Sequence, residues 1–124
     1  MPRILVIDDE ELLIRSMTLL MEKNGFQVYT AKNASDAEVM IDEENFDLII
    51  CDIRMPGKNG VEVMKSIQDL LIAKKKQKVP VIFITGFADE KIEREAKMLK
   101  PVGYLMKPFG IQELMEVIKE SIAQ

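Results

Sequence analysis

The sequence predicts an α/β domain, a doubly wound parallel sheet of five strands built in (βα)5 order. Three observations point there. Short apolar runs alternate with longer segments of helical period along the chain. The runs are apolar on both faces, which suits parallel strands covered by helices on each side. Chain-breaking residues mark the changes of period: the six glycines, at 25, 57, 60, 86, 103 and 110, stand at junctions, as do the prolines at 2, 56, 101 and 108. Right-handed crossovers then wind five such units into one open sheet.

The elements follow in order. Ile4–Ile7 is the first strand, and the helix after it carries Leu13, Met17, Leu20 and Met21 on one stripe and closes at Asn24-Gly25. A second strand surrounds Val28, followed by a helix marked by Ala34, Ala37 and Ile41. Leu48–Cys51 is the third strand; Val61, Met64, Ile67 and Leu71 line the next helix. Pro80 opens the fourth strand, Val81–Ile84. The fourth helix has only Ile92, Ala96 and Leu99 set among charged residues, so it is expected to be the loosest element. Pro101 ends it, because a proline ring disfavours helical geometry at the preceding Lys100. Tyr104–Met106 is the fifth strand. Gly110 as N-cap, Glu113 at the third position and a staple of Phe109 onto Leu114 begin the last helix, with Ile111, Leu114, Met115, Ile118 and Ile122 as its stripe. No repeat or linker interrupts residues 1–124, which read as one domain.

Composition narrows the chemistry. A chain of 124 residues, 48% apolar, buries roughly two-thirds of its unfolded surface and needs no staple. Without histidine it can hold no Ser-His-Asp or Cys-His pair, no zinc site of the usual histidine kinds and no phosphohistidine of its own. The single cysteine, Cys51, lies in an apolar run and is expected to be a buried small hydrophobe. The net charge of −4 argues against direct nucleic-acid binding, and the basic run Lys74–Lys78 is expected to be a solvated loop. Met1-Pro2-Arg3 leads straight into a short strand, so neither a signal peptide nor a membrane span is expected, and the setting expected is cytoplasmic.

In open parallel sheets, ligands bind beyond the carboxyl ends of the strands. Polar residues stand there: Asp8-Asp9 after the first strand, Asp52 after the third, Thr85 after the fourth and Lys107 after the fifth. Each alone has an ordinary explanation, a helix cap for Asp8–Glu11 or a turn for Lys107-Pro108. Together they form a site. Carboxylates crowded at one edge resist ionisation unless a cation joins them, and Mg2+ takes one or two carboxylates while keeping waters. Mg2+, a lysine and a hydroxyl around a nucleophilic carboxylate suit phosphoryl transfer to that carboxylate.

Asp8-Asp9, Asp52 in Cys-Asp-Ile-Arg-Met-Pro-Gly, Thr85-Gly86 and Lys107-Pro108-Phe109 resemble the receiver domain of bacterial response regulators, over essentially the whole chain. The resemblance implies a flavodoxin-like sheet of strand order 2-1-3-4-5. It implies that Asp52 accepts a phosphoryl group from a histidine kinase or phosphotransfer protein. Asp9, Asp52 and the backbone carbonyl of Arg54 would then bind Mg2+ directly, with Mn2+ as a substitute and Asp8 acting through water. Lys107 would pair with a phosphoryl oxygen, across a cis Lys107-Pro108 bond. Thr85 and Tyr104 would be the switch pair, and Arg54 and Phe87 would tune phosphoryl lifetime. Phe87 cannot orient a hydrolytic water, so slower dephosphorylation is expected than with an acidic residue there. The face of the fourth helix, fifth strand and fifth helix would meet an output protein or domain, and a homodimer through that face is compatible with the sequence. A stand-alone receiver and the N-terminal part of a longer regulator both fit, since the chain leaves no room for an output domain of its own.

Two other functions compete. A carboxylate-nucleophile Mg2+ phosphatase usually has its nucleophile after the first strand with a second Asp two residues on; here Asp8 and Asp9 are adjacent and position 10 is Glu. A flavin-binding flavodoxin-like module needs a Ser/Thr/Gly-rich phosphate loop where this chain is acidic. A switch that turns over no external substrate is the reading favoured.

Overall fold

The computed structural model describes residues 1–86 and 89–123. Along the chain come β1 (Arg3–Ile7), α1 (Glu11–Lys23), β2 (Gln27–Ala31), α2 (Ala34–Glu43), β3 (Leu48–Asp52), α3 (Gly60–Ala73), β4 (Val81–Thr85), α4 (Glu90–Met98), β5 (Gly103–Met106) and α5 (Ile111–Ala123). The strands are all parallel, in the order β2-β1-β3-β4-β5. The predicted fold class and strand order are therefore both found.

The pleat explains why the strands are apolar on both faces. Successive side chains alternate between two cores. Leu5, Ile7, Ile49, Cys51 and Phe83 face the layer holding Ala37, Ile41, Met64 and Ile67 of α2 and α3. Ile4, Val6, Ile50, Ile82 and Ile84 face Met17 and Met21 of α1 and Leu114 and Ile118 of α5. Cys51 is a fully buried member of the first core, and burial pushes its thiol pKa far up, with the charges of Asp52 and Asp8 adding to the effect.

Two stripes differ from expectation. In α1 the fully buried positions are Ile14, Met17 and Met21, while Leu13 is only partly covered. Ile111, expected in the α5 stripe, is the first residue of that helix and is 67% exposed, while Leu114 and Ile118 are buried. In α4, only Ala96 is buried, in keeping with its sparse apolar stripe.

The helix ends have specific causes. Asn59 and Glu62 cap α3 reciprocally, Glu62 N donating to Asn59 Oδ1 at 3.0 Å and Asn59 N to Glu62 Oε1 at 3.1 Å. After α4, Lys100 adopts a φ of +54°, a conformation that costs a lysine more than a glycine, and Pro101 follows it. The helix itself ends earlier than the proline alone requires, at Met98 with Leu99 as its C-cap.

The basic run is not simply a solvated loop. Lys76 Nζ donates to the carbonyls of Ile41 (2.7 Å), Asp42 (3.3 Å) and Glu44 (3.3 Å), closing the carboxyl end of α2, and Lys74 Nζ lies 2.7 Å from Asp42 Oδ1. A cation there satisfies orphan carbonyls and the negative end of the helix dipole. Lys76→Met is expected to lower stability by about 1 to 2 kcal/mol. The exposed Lys78 is the control, Lys78→Met costing under about 0.5 kcal/mol. Equal shifts in the urea midpoints of the two variants would contradict the cap.

Candidate functional site

The carboxyl ends of the strands bring the predicted residues together. Asp8 leaves β1, Asp52 ends β3 and Thr85 ends β4, and these three are 0%, 2% and 1% exposed. Lys107 follows β5, its backbone N donating to the Thr85 carbonyl at 2.7 Å. The Lys107-Pro108 peptide is cis, as expected.

Each buried carboxylate is oriented by its own loop. Asp8 Oδ1 accepts from Glu10 N at 2.9 Å, and Asp52 Oδ1 accepts from Arg54 N at 3.2 Å. The other oxygens, both Oδ2, accept from Lys107 Nζ at 3.2 Å each. The ammonium also donates to Glu10 Oε1 at 2.7 Å, the shortest of its three contacts. Asp8, Glu10 and Asp52 thus offer oxygens within 4.8 Å of one another.

Glu10 was not singled out from sequence, and Asp9, expected as a direct ligand, is exposed and stands outside this group. The chain bends at Asp9, where the Asp8 side chain accepts from Glu10 N, and no residue period marks that turn in the sequence. Of the capping explanation for the acidic run, the dipole part is kept by Glu11 in the first turn of α1. Glu10 occupies the N-cap of α1 with no side-chain cap hydrogen bond.

The electrostatics follow from burial. The Asp52 carboxyl is pushed up to about 6, first by burial and then by the charge of Asp8, with Lys107 and the Arg54 N–H pulling the other way. Burial works against the Lys107 ammonium, yet Glu10, Asp8 and Asp52 outweigh it and raise its pKa. Two buried carboxylates beside a third make a hard-oxygen donor set that one lysine does not neutralise, and the residues fit a divalent cation.

Next to the site, a cavity of about 160 Å3 is lined by Ile53, Arg54, Met55, Asn59, Thr85, Asp89 and Ile92. It runs from the Thr85 side of the sheet to the start of α4. Tyr104 on β5 is partly buried against the core of that same side. Its phenol pKa is raised by burial and by Glu93 and Asp89. Arg54 is exposed, and Phe87 lies outside the described residues.

Residues 4–119 match the family model of the response regulator receiver domain. A transcriptional regulatory protein of Helicobacter pylori, CrdR, is 35% identical over 118 residues, covering 94% of this chain and 53% of that protein. The chain thus spans about half the length of this curated relative. Among solved structures, the response regulator TrrA of Thermotoga maritima, in complex with Mg2+ and BeF, is 31% identical with a TM-score of 0.81, covering 98% of this chain and 99% of that one. A CheY-like receiver domain protein of Methanospirillum hungatei is 28% identical with a TM-score of 0.89, covering 99% and 94%.

Proposed function

Since the chain belongs to the response-regulator receiver family, we propose that it is a phosphorylation-controlled switch whose acceptor is Asp52, loaded by a partner histidine kinase or phosphotransfer protein. The observation that supports this reading is the meeting of buried Asp52 and Asp8 with Lys107 Nζ at 3.2 Å from each, at the carboxyl edge of the sheet.

Asp52 Oδ2 is the attacking atom: as its bond to phosphorus forms, the P–N bond of the donor's phosphohistidine breaks and the imidazole leaves. Oδ2 accepts from Lys107 now, whereas Oδ1 is held by Arg54 N. Lys107 then moves its donors to the phosphoryl oxygens, and Thr85 offers its hydroxyl to them. Asp8 and Asp52 would hold Mg2+, with the Arg54 carbonyl and Asp9, which would have to turn inward, as further ligands implied by the resemblance. When bound, Mg2+ would supply positive charge to the phosphoryl group, a part Mn2+ could also fill. A movement of Thr85 toward the phosphoryl group leaves room for Tyr104, in a region already bordered by a cavity. The new charge of about −1.5 to −2 thereby shifts the α4–β5–α5 face toward a second arrangement.

That face is the docking surface for the output protein or domain, and a homodimer forms through it where two copies meet. Phe87 and Arg54 set the lifetime of the phosphoryl group. The setting is cytoplasmic, without direct nucleic-acid contact, and no external substrate is turned over. Among the described residues, no helix is long and apolar enough to cross a membrane.

Incubation with Mg2+ and acetyl phosphate should add one phosphoryl mass to the chain, and Asp52→Ala should abolish the adduct. No adduct on the unmodified chain, or steady hydrolysis of varied phosphate esters, would favour the phosphatase reading instead.

A further inference from the structure

We propose that Glu10 is the positioning residue for Lys107: it keeps the ammonium beside the acceptor when Asp8 and Asp52 turn to a divalent cation. The proposal deepens, and rests on, the reading of Asp52 as a Mg2+-assisted acceptor.

The geometry separates Glu10 from the other two carboxylates. Asp8 and Asp52 have side chains 0% and 3% exposed, each with one oxygen on a backbone N–H. They cannot follow a departing amine. The Glu10 side chain is 58% exposed and makes the shortest contact to Nζ, 2.7 Å against 3.2 Å for each Asp. Its carboxylate makes no cap hydrogen bond at the start of α1 and reaches to a lysine 97 positions away.

Charge balance then assigns the sequence of contacts. Three carboxylates and one ammonium sum to −2, the charge that one divalent cation neutralises. Coordination by Asp8 and Asp52 takes two of the three acceptors from Lys107 and places a like charge beside its ammonium. With a side chain only 14% exposed, the ammonium cannot be left unpaired without a desolvation cost. Glu10 remains. It holds the amine at the rim of the site, within reach of a phosphoryl oxygen arriving at Asp52.

Nitrogen-15 NMR of the lysine side-chain ammonium groups, with and without saturating Mg2+, tests this on the full chain. Lys107→Met identifies the Lys107 signal. In the unmodified chain the signal should be observed, protected from exchange, both before and after Mg2+. In Glu10→Gln it should persist without Mg2+, since Asp8 and Asp52 still hold the amine, and vanish on saturation. Loss of the signal on Mg2+ saturation of the unmodified chain would overturn the proposal, because Glu10 would then be serving the cation and not the lysine. So would an unaltered signal in Mg2+-saturated Glu10→Gln, or no protected signal in either state. A different failure identifies the underlying reading: if Mg2+ moves no backbone amide near Asp8 and Asp52, it is the Mg2+-assisted acceptor that falls.

Discussion

Gly60→Ala should destabilise the protein by about 3 kcal/mol, more than any other single methyl added here. A Cβ at Gly60 would lie 2.3 Å from the Asp52 carbonyl oxygen, 2.8 Å from Ile53 Cα and 3.0 Å from Asp52 C. All three atoms are backbone, so no rotamer change relieves the contact. Either α3 lifts from β3 or residues 52–53 shift. Gly60 N also donates to the Ile53 carbonyl at 2.7 Å, which couples the start of the helix to the same strand end. The substitution should therefore also slow phosphoryl acceptance, since it moves the backbone that carries Asp52. Gly86→Ala is the comparison. Its Cβ would meet only Lys107 side-chain carbons, at 3.7 and 3.8 Å, an ordinary contact. Chemical denaturation of the two variants checks the contrast, and equal stabilities would refute it.

Asp52→Asn should stabilise the Mg2+-free protein at pH 7.5, by roughly 2 kcal/mol. The sign follows from the direction of the shift. The folded Asp52 carboxyl titrates at about 6, above its ordinary 3.8, because it is buried beside Asp8. The folded chain therefore holds this proton more tightly than the unfolded chain. Stability falls as pH rises from about 3.8 to 6, and the loss is complete above that window. Asparagine removes the charge and the loss with it, while Lys107 keeps Asp8 and Glu10 as partners. The gain should disappear near pH 4, and it should shrink in Mg2+, which binds the chain with the aspartate more tightly. Urea midpoints in chelator at both pH values check it. An Asn variant no more stable than its parent at pH 7.5 would refute the cost assigned to Asp52.

Much of the site could be read from sequence because strand ends are strong local signals. Asp8, Asp52, Thr85 and Lys107 each follow an apolar run, and the parallel topology carries those ends to one edge. Glu10 was harder to see. Its role depends on an extended residue before α1 and on a lysine from the other end of the chain, and neither leaves a mark in local composition. Lys76 was misread for the same reason. A lysine in a basic run looks solvated until α2 is found to end beside it.

By itself, then, the sequence determined the (βα)5 order, the two-faced core and the carboxylate, hydroxyl and lysine of the site. These depend on residue period and on chain-breaking residues, which act over a few positions. Only the tertiary structure decided that Glu10 stands with Asp8 and Asp52, that Gly60 must lack a side chain, and that Lys76 closes α2. Each depends on distances between segments far apart in the chain. A pattern of hydrophobicity does not encode such distances; close packing of one helix on one strand does.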